Sequence, residues 1–356
     1  MSLNVPQDLL DNLALRFSSH SKDVYGASNA NSSPLYAYLA SQIANDPDIL
    51  KLVRDADLAT QVSNLLFGAV HFLLLSGIQH PLADFYPDLT EFPRPITDSY
   101  PYFLAFCLEH TQEIEKLVTE KRVQTNEVTR CAVLLPAFNL AYQRMNNKPL
   151  AIVEIGSSAG IHLIWDHFYY DYGSAGQVGN PDSKVKLRTD IRGSKSPPIP
   201  EQMPKVAYRI GTDIYPIDPN DEEATRWLRA LIWPEHQDRR ARLEAALSEL
   251  WLKPVEVVMG NAAETLPAIL ENVPANFNLC VFHSYSFVQM PPAIREQILE
   301  LLLVFSRQRD FHRIAQEWFG EQQHPQLELK TYRNGDMQTE LLGYAESHGR
   351  WLEWIV

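Results

Sequence analysis

The residues best suited to chemistry are Glu154, Gly156, Ser158 and Gly160, which share one short stretch, followed by Asp213, Asn261 and His283 farther along. Leu150-Ala151-Ile152-Val153 is an apolar run with two β-branched residues, which predicts a buried strand. Ile161-His162-Leu163-Ile164-Trp165-Asp166 after the glycines predicts the start of a helix. A strand feeding a helix through a glycine turn gathers backbone N–H groups and a helix N-terminus at one point, where a ligand can bind. Two phosphate-binding patterns fail on spacing. The dinucleotide fingerprint needs glycine where Ser158 and Ile161 stand, and a P-loop needs Gly-Lys where Ile161-His162 stand.

Two elements of different style must position these residues. Residues 1–146 read as an N-terminal helical region, with apolar residues at three- and four-residue intervals over 7–17, 33–44, 58–76, 103–123 and 127–145. Thr125 or Asn126 suits the cap of the last of these helices, or reaches a neighbouring site. From 147 to 356 strands and helices alternate, which predicts an α/β, doubly wound, mostly parallel sheet. Strands are expected at 205–214, 255–259, 278–282 and 311–318, and helices at 222–251 (broken at Trp233-Pro234), 262–270 and 292–305. Asp218-Pro219 looks like a helix cap and first helical residue. Residues 327–332, 340–345 and 351–356 alternate and turn at Asn334-Gly335 and His348-Gly349, as antiparallel edge strands do.

In such sheets ligands bind outside the carboxyl ends of the strands. Glu154, Asp213, Asn261 and His283 all fall at those ends, and they are the right groups for one small organic ligand. His283 is the best general base among the histidines because imidazole titrates near neutrality, although it equally suits a bond to a neighbouring loop. Arg209 inside a strand predicts an ion pair with Asp213, Asp218 or Glu235. Trp233-Pro234-Glu235 either breaks a helix or walls a substrate.

Composition narrows the classes. A chain of 356 residues with 45% hydrophobic and 21% charged content buries a full core. The net charge of −13 disfavours nucleic acid or an anionic membrane as partner. Cys107, Cys131 and Cys280 have no zinc spacing and read as reduced thiols of a cytoplasmic protein, and no His/Asp/Glu grouping predicts a metal site. Met1-Ser2-Leu3-Asn4 lacks a basic n-region, so no signal peptide is expected. The apolar run 65–78 contains His71, is too short to span a bilayer and reads as a buried helix.

Glu154-x-Gly156-x-x-x-Gly160 resembles the first motif of S-adenosylmethionine-dependent methyltransferases, in which the acid helps hold the amino end of the methionine moiety. Gly156-Ser157-Ser158-Ala159-Gly160 also matches the G-x-S-x-G elbow of α/β-hydrolases, which would make Ser158 a nucleophile. The 150–356 region resembles class I methyltransferases, a Rossmann-like fold. The resemblance implies Asp213 as the ribose acid, Asn261 as an adenine contact, Ser158 as a cofactor contact, and S-adenosylmethionine as cofactor with S-adenosylhomocysteine as product. The spacing from Glu154 to Asp213 is long, so residues near 173–204 are expected as an insertion, with 184–191 as an extra strand and Asp190 as the competing ribose acid. The whole chain is similar to the bacterial family known as domain of unknown function 2332, a methyltransferase-like group. The resembling stretches are Thr125-Asn126-Glu127 with Arg130, Ser158-Ala159-Gly160 with Trp165-Asp166, and Arg209-x-Gly211-x-Asp213. Trp233-Pro234-Glu235 with Arg239, His283-Ser284, and His348-Gly349-x-Trp351 complete them. The expectation is methyl transfer to an unknown small molecule with His283 as base. A Ser158 esterase and a non-catalytic nucleoside binder are the alternatives.

Overall fold

The computed structural model describes residues 5–26, 32–58, 61–124, 126–318 and 322–356. Contacts divide the chain into two compact units, Met1–Thr125 with Asp221–Ala241, and Asn126–Asn220 with Arg242–Val356. This partition differs from a single cut at residue 146.

The first unit is helical: α1 (Gln7–Asp23), α2 (Pro34–Ile43), α3 (Pro47–Leu52), α4 (Val62–Leu75), α5 (Ser99–Glu109) and α6 (Thr111–Glu120). After α7 (Arg130–Arg144) of the other unit, α8 (Glu222–Ala230) returns to it. The apolar run near 65–78 is α4, buried almost all round, and among the described residues no helix is long and apolar enough to cross a membrane. His71 inside α4 bonds Asp88 Oδ2 at 2.9 Å and the Ala230 carbonyl at 3.1 Å. The stretch expected as one helix over 103–123 is two, because His110 leaves helical geometry at φ −113°, ψ 29°. The cap of α8 is Asp221, which accepts from the Glu223 and Ala224 N–H groups, while Asp218 accepts from Asn220 instead. Glu235 accepts from Ser33 Oγ at 2.7 Å and the Leu35 N–H at 3.0 Å, anchoring the start of α2.

The second unit is mixed α/β. Its strands are β1 (Leu150–Ile155), β2 (Tyr169–Asp171), β3 (Gln177–Gly179), β4 (Lys186–Arg188), β5 (Asp190–Arg192) and β6 (Val206–Asp213). Then follow β7 (Glu256–Met259), β8 (Asn278–Ser284), β9 (Phe311–Glu317), β10 (Gln326–Arg333), β11 (Asp336–Ala345) and β12 (Trp351–Trp354). The helices α9 (Gln237–Leu252), α10 (Ala262–Asn272) and α11 (Pro292–Phe305) lie between them in sequence. A nine-stranded, mostly parallel sheet runs β5-β12-β11-β10-β9-β8-β1-β6-β7. The block β9-β8-β1-β6-β7 is parallel, and β9 to β12 form an antiparallel meander. β1 has β6 on one side and β8 on the other, so the strand order reverses at β1, the place where open α/β sheets form a crevice. The stretch between β1 and β6 makes a small sheet, β3-β2-β4, and sends β5 to the far edge of the large one.

Alternation along β1 and β8 sorts the side chains between two faces. Ala151, Val153, Leu279 and Val281 pack with Leu266 of α10 and with Ile298 and Leu302 of α11. Phe282, which pairs in register with Glu154, meets Phe138 of α7 edge-on at 5.0 Å, on the other face. Phe138 also stacks flat on Trp165 at 4.6 Å. The helix expected from Ile161 is instead a 3-10 segment, Ile161–His167, kinked at Ile164. All five side chains from Ile161 to Trp165 are buried. The partner of Arg209 is Asp166, bonded at 2.8 and 3.1 Å, not Asp213, Asp218 or Glu235. The expected cost of Phe138→Ala is about 3–5 kcal/mol, because the ring joins α7, β8 and the 3-10 segment. Urea denaturation checks this, and a loss below about 1 kcal/mol would contradict the packing described.

Candidate functional site

The turn after β1 is built by three left-handed residues, Gly156 (φ 79°), Ser158 (φ 50°) and Gly160 (φ 79°). The Gly156 and Ser157 N–H groups both donate to the Thr212 carbonyl of β6, at 2.8 and 3.2 Å. The pairing of Ile155 with Thr212 sets Asp213 beside the turn, and its Oδ2 accepts the Ser158 N–H at 2.7 Å. Its Oδ1 accepts the Tyr215 N–H at 2.8 Å. Asn126 Nδ2 donates to Ser158 Oγ at 2.6 Å. Asn126 therefore serves the turn and caps no helix: α7 begins at Arg130, and Thr125 lies outside the described residues.

Glu154 points to the α7 face and is buried. Its Oε1 lies 3.0 Å from His162 Nδ1, and His162 Nε2 lies 3.1 Å from the Glu127 carbonyl. A carbonyl cannot donate, so Nε2 carries a hydrogen and a second proton lies between Nδ1 and Oε1. Burial pushes the Glu154 carboxyl up, against the pull of His162. Among the described residues Oε2 has no hydrogen-bond partner. No spacing rule joins positions 154 and 162 across a turn, which is why the sequence did not single out His162.

The glycines of the turn are packed by the chain itself. A Cβ on Gly156 would collide with Ser286 Cβ, whose hydroxyl donates to the Ile155 carbonyl at 2.8 Å, and one on Gly160 would collide with Val255. Asn261 sits at the end of β7 as the cap of α10, accepting the Ala263 N–H at 3.1 Å. Asp190 lies in β5 at the opposite edge of the sheet from β6 and β7. Ile214 and Tyr215, just after β6, and Met259, the last residue of β7, are 51%, 53% and 74% exposed.

His283 stands apart from this group. It lies within β8, fully buried, on the face opposite Glu154. Its Nδ1 bonds Glu317 Oε1 at 2.7 Å, and its ring stacks on Phe287 at 3.8 Å. Burial pushes the imidazole pKa down, against the pull of Glu317. Glu317 also accepts the Phe287 and Val288 N–H groups, so it ties down the loop after β8. Ser158 Oγ takes its bond from Asn126, and neither His162 nor His283 is bonded to it. Among the described residues no group of three or more His, Cys, Asp or Glu side chains is placed to hold a metal ion.

The Glu154–His162 pair makes a pH prediction. A carboxyl raised by burial contributes stability in acid that is lost as pH rises through its shifted value. Glu154→Gln removes that dependence, since an amide N–H can donate to Nδ1 of a neutral His162. It should match the wild type in mildly acid buffer and exceed it in alkaline buffer. Glu154→Ala, which strands Nδ1, should lose about 1–3 kcal/mol. Urea denaturation across that range checks both, and parallel pH curves for wild type and Glu154→Gln would refute the shared proton.

No curated protein matches the chain. A family model described as "Uncharacterized protein conserved in bacteria (DUF2332)" matches residues 23–354, which include Asn126, the glycine turn, Asp213, Asn261 and His283. The match takes in nearly all of the 356 residues, and the chain belongs to that family.

Proposed function

We propose that this chain is an S-adenosylmethionine-dependent methyltransferase of Rossmann-like fold that acts on a small molecule. The observation that carries the reading is the bond from the Ser158 N–H to Asp213, made where the strand order reverses. The residues present fit the cofactor in part. A carboxylate can accept from two vicinal hydroxyls, and Asp213 is held beside the turn by the Ser158 and Tyr215 N–H groups. Ile214, Tyr215 and Met259 offer exposed apolar surface near it for a planar base. Glu154 offers Oε2 to a cationic end. The glycines contribute no open cradle, because Ser286 and Val255 occupy the space beside them.

When bound, the cofactor supplies an electrophilic methyl group. The part of the chain is to align donor and acceptor and to keep water out, which governs a displacement more than base strength does. His283, buried and committed to Glu317, is assigned no proton transfer in this account. Ser158 is assigned no nucleophilic role, because its oxygen is bonded by Asn126 and no histidine is bonded to it. Labelling by a fluorophosphonate probe that is lost in Ser158→Ala would reverse that assignment.

Calorimetry with S-adenosylmethionine and S-adenosylhomocysteine tests the reading. Asp213→Asn keeps one oxygen for the Ser158 N–H but loses the charge. Hydrogen bonds to a charged group contribute about 1.5–3 kcal/mol, so affinity should fall at least about tenfold. Asp190→Ala, at the far edge, should change nothing. Absence of binding by folded wild-type protein would overturn the proposal, and binding without turnover on any acceptor would favour a non-catalytic binder.

A further inference from the structure

On the sheet face opposite Glu154, three adjacent strands carry charge into the interior. β8 brings His283, β9 brings Arg313 and Glu317, and β10 brings Glu328 and Lys330. Register sets Arg313 between Val281 and Lys330, and Ala315 between His283 and Glu328. Alternation along β9 then puts Arg313, Ala315 and Glu317 on this one face.

Most of these groups are matched. Glu317 accepts from His283 Nδ1 and from the Phe287 and Val288 N–H groups. Lys330 Nζ pairs with Glu328 Oε2 at 2.8 Å and donates to Thr339 Oγ1 at 3.2 Å. Arg313 is different. It is 3% exposed, and among the described residues its Nε and Nη1 have no hydrogen-bond partner. Its guanidinium lies 5.4 Å from the Phe287 ring and 5.7 Å from the Tyr332 ring. Glu317 and Glu328 offset its charge from farther away but do not bond it. His283 contacts the same Phe287 ring at 3.8 Å, and its Nε2 is also buried without a partner among the described residues. Since Nδ1 faces a carboxylate and donates, Nε2 is the accepting nitrogen.

We propose that Arg313 and His283 form a binding site for a small oxyanion that carries one hydroxyl, such as hydrogen phosphate or a hydroxycarboxylate. A guanidinium cannot shed its proton, and its planar donors match the oxygens of such anions. The hydroxyl of the anion would donate to Nε2. The site is distinct from the glycine turn and does not depend on the methyltransferase reading. A buried cation without a bonded partner is a cost that a ligand site carries and a purely structural arginine would not.

Thermal unfolding in anion-poor buffer, followed by titration with inorganic phosphate, sulfate, glycolate or acetate, tests the proposal. The melting temperature of the wild type should rise with phosphate and glycolate and rise less with sulfate and acetate, which lack the hydroxyl at neutral pH. The stronger of the two effective anions distinguishes a phosphate from a hydroxycarboxylate ligand. Arg313→Met should melt above the wild type in anion-poor buffer and lose the response, while Arg313→Lys should keep part of it. Equal shifts in wild type and Arg313→Met, or a wild type indifferent to all four anions, would overturn the site. If Arg313→Met does not fold, phosphate calorimetry on the wild type decides. Saturable one-site binding displaced by glycolate supports the site, and no binding refutes it.

Discussion

One residue, Ser158, holds together elements on which the rest of this sheet depends. A non-glycine residue in the left-handed region costs roughly 1–2 kcal/mol, and Ser158 at φ 50° needs bonds to stay there. Its N–H goes to Asp213 of β6, its hydroxyl oxygen accepts from Asn126 ahead of α7, and its carbonyl accepts from Ile217. The loop after β8 reaches the same turn through Ser286. Strands on both sides of the order reversal, the segment leading into α7 and the β8 loop are thereby fixed to a five-residue turn. Because the segment that follows is 3-10 rather than α-helical, hydrogen bonds from neighbouring elements supply the rigidity that a helix would otherwise provide.

The two faces of the sheet each bury a histidine against a glutamate, with different proton arithmetic. His162 uses both ring nitrogens, so the Glu154 pair must share a proton and behaves as a closed unit apart from Oε2. His283 uses one nitrogen and keeps the other as a buried acceptor. The first arrangement braces the glycine turn beneath α7. The second clamps the loop after β8 and leaves hydrogen-bonding capacity beside Arg313. Burial raises the Glu154 carboxyl at the first site and lowers the His283 imidazole at the second.

Much of the sheet was legible in the sequence because its strands, above all β1 and β8, are rich in apolar and β-branched residues between turn signals. β1, β6, β7, β8 and β9 lie within two residues of expectation, and helix 292–305 is α11 to the residue. The antiparallel strands were legible from alternation and from the Asn334-Gly335 turn. Three features were not. The run from Ile161 has apolar residues at helical spacing, but every one is buried, and periodicity alone does not separate an α-helix from a tight 3-10 segment. Asn126 suits a cap or a contact with a neighbouring site, and composition does not choose between them; the second holds, with a partner 32 residues away. Arg209 was expected to pair with Asp213, Asp218 or Glu235, whereas the fold brings Asp166 to it. Of the candidate site, Glu154, Ser158 and Asp213 were recognisable as residue types at strand ends. The filling of the glycine positions by Ser286 and Val255 depends on the loop after β8 and the residue before β7, which no local pattern connects to the turn.

The central claim is that a nucleoside ligand is received at the joint between Ser158 and Asp213. The most direct test is amide NMR of serine-labelled protein titrated with S-adenosylhomocysteine. The account predicts that the Ser158 N–H resonance shifts saturably in wild type and that the shift is lost in Asp213→Asn. A titration that moves other serines while Ser158 stays fixed, or one with no saturable change at all, would contradict it.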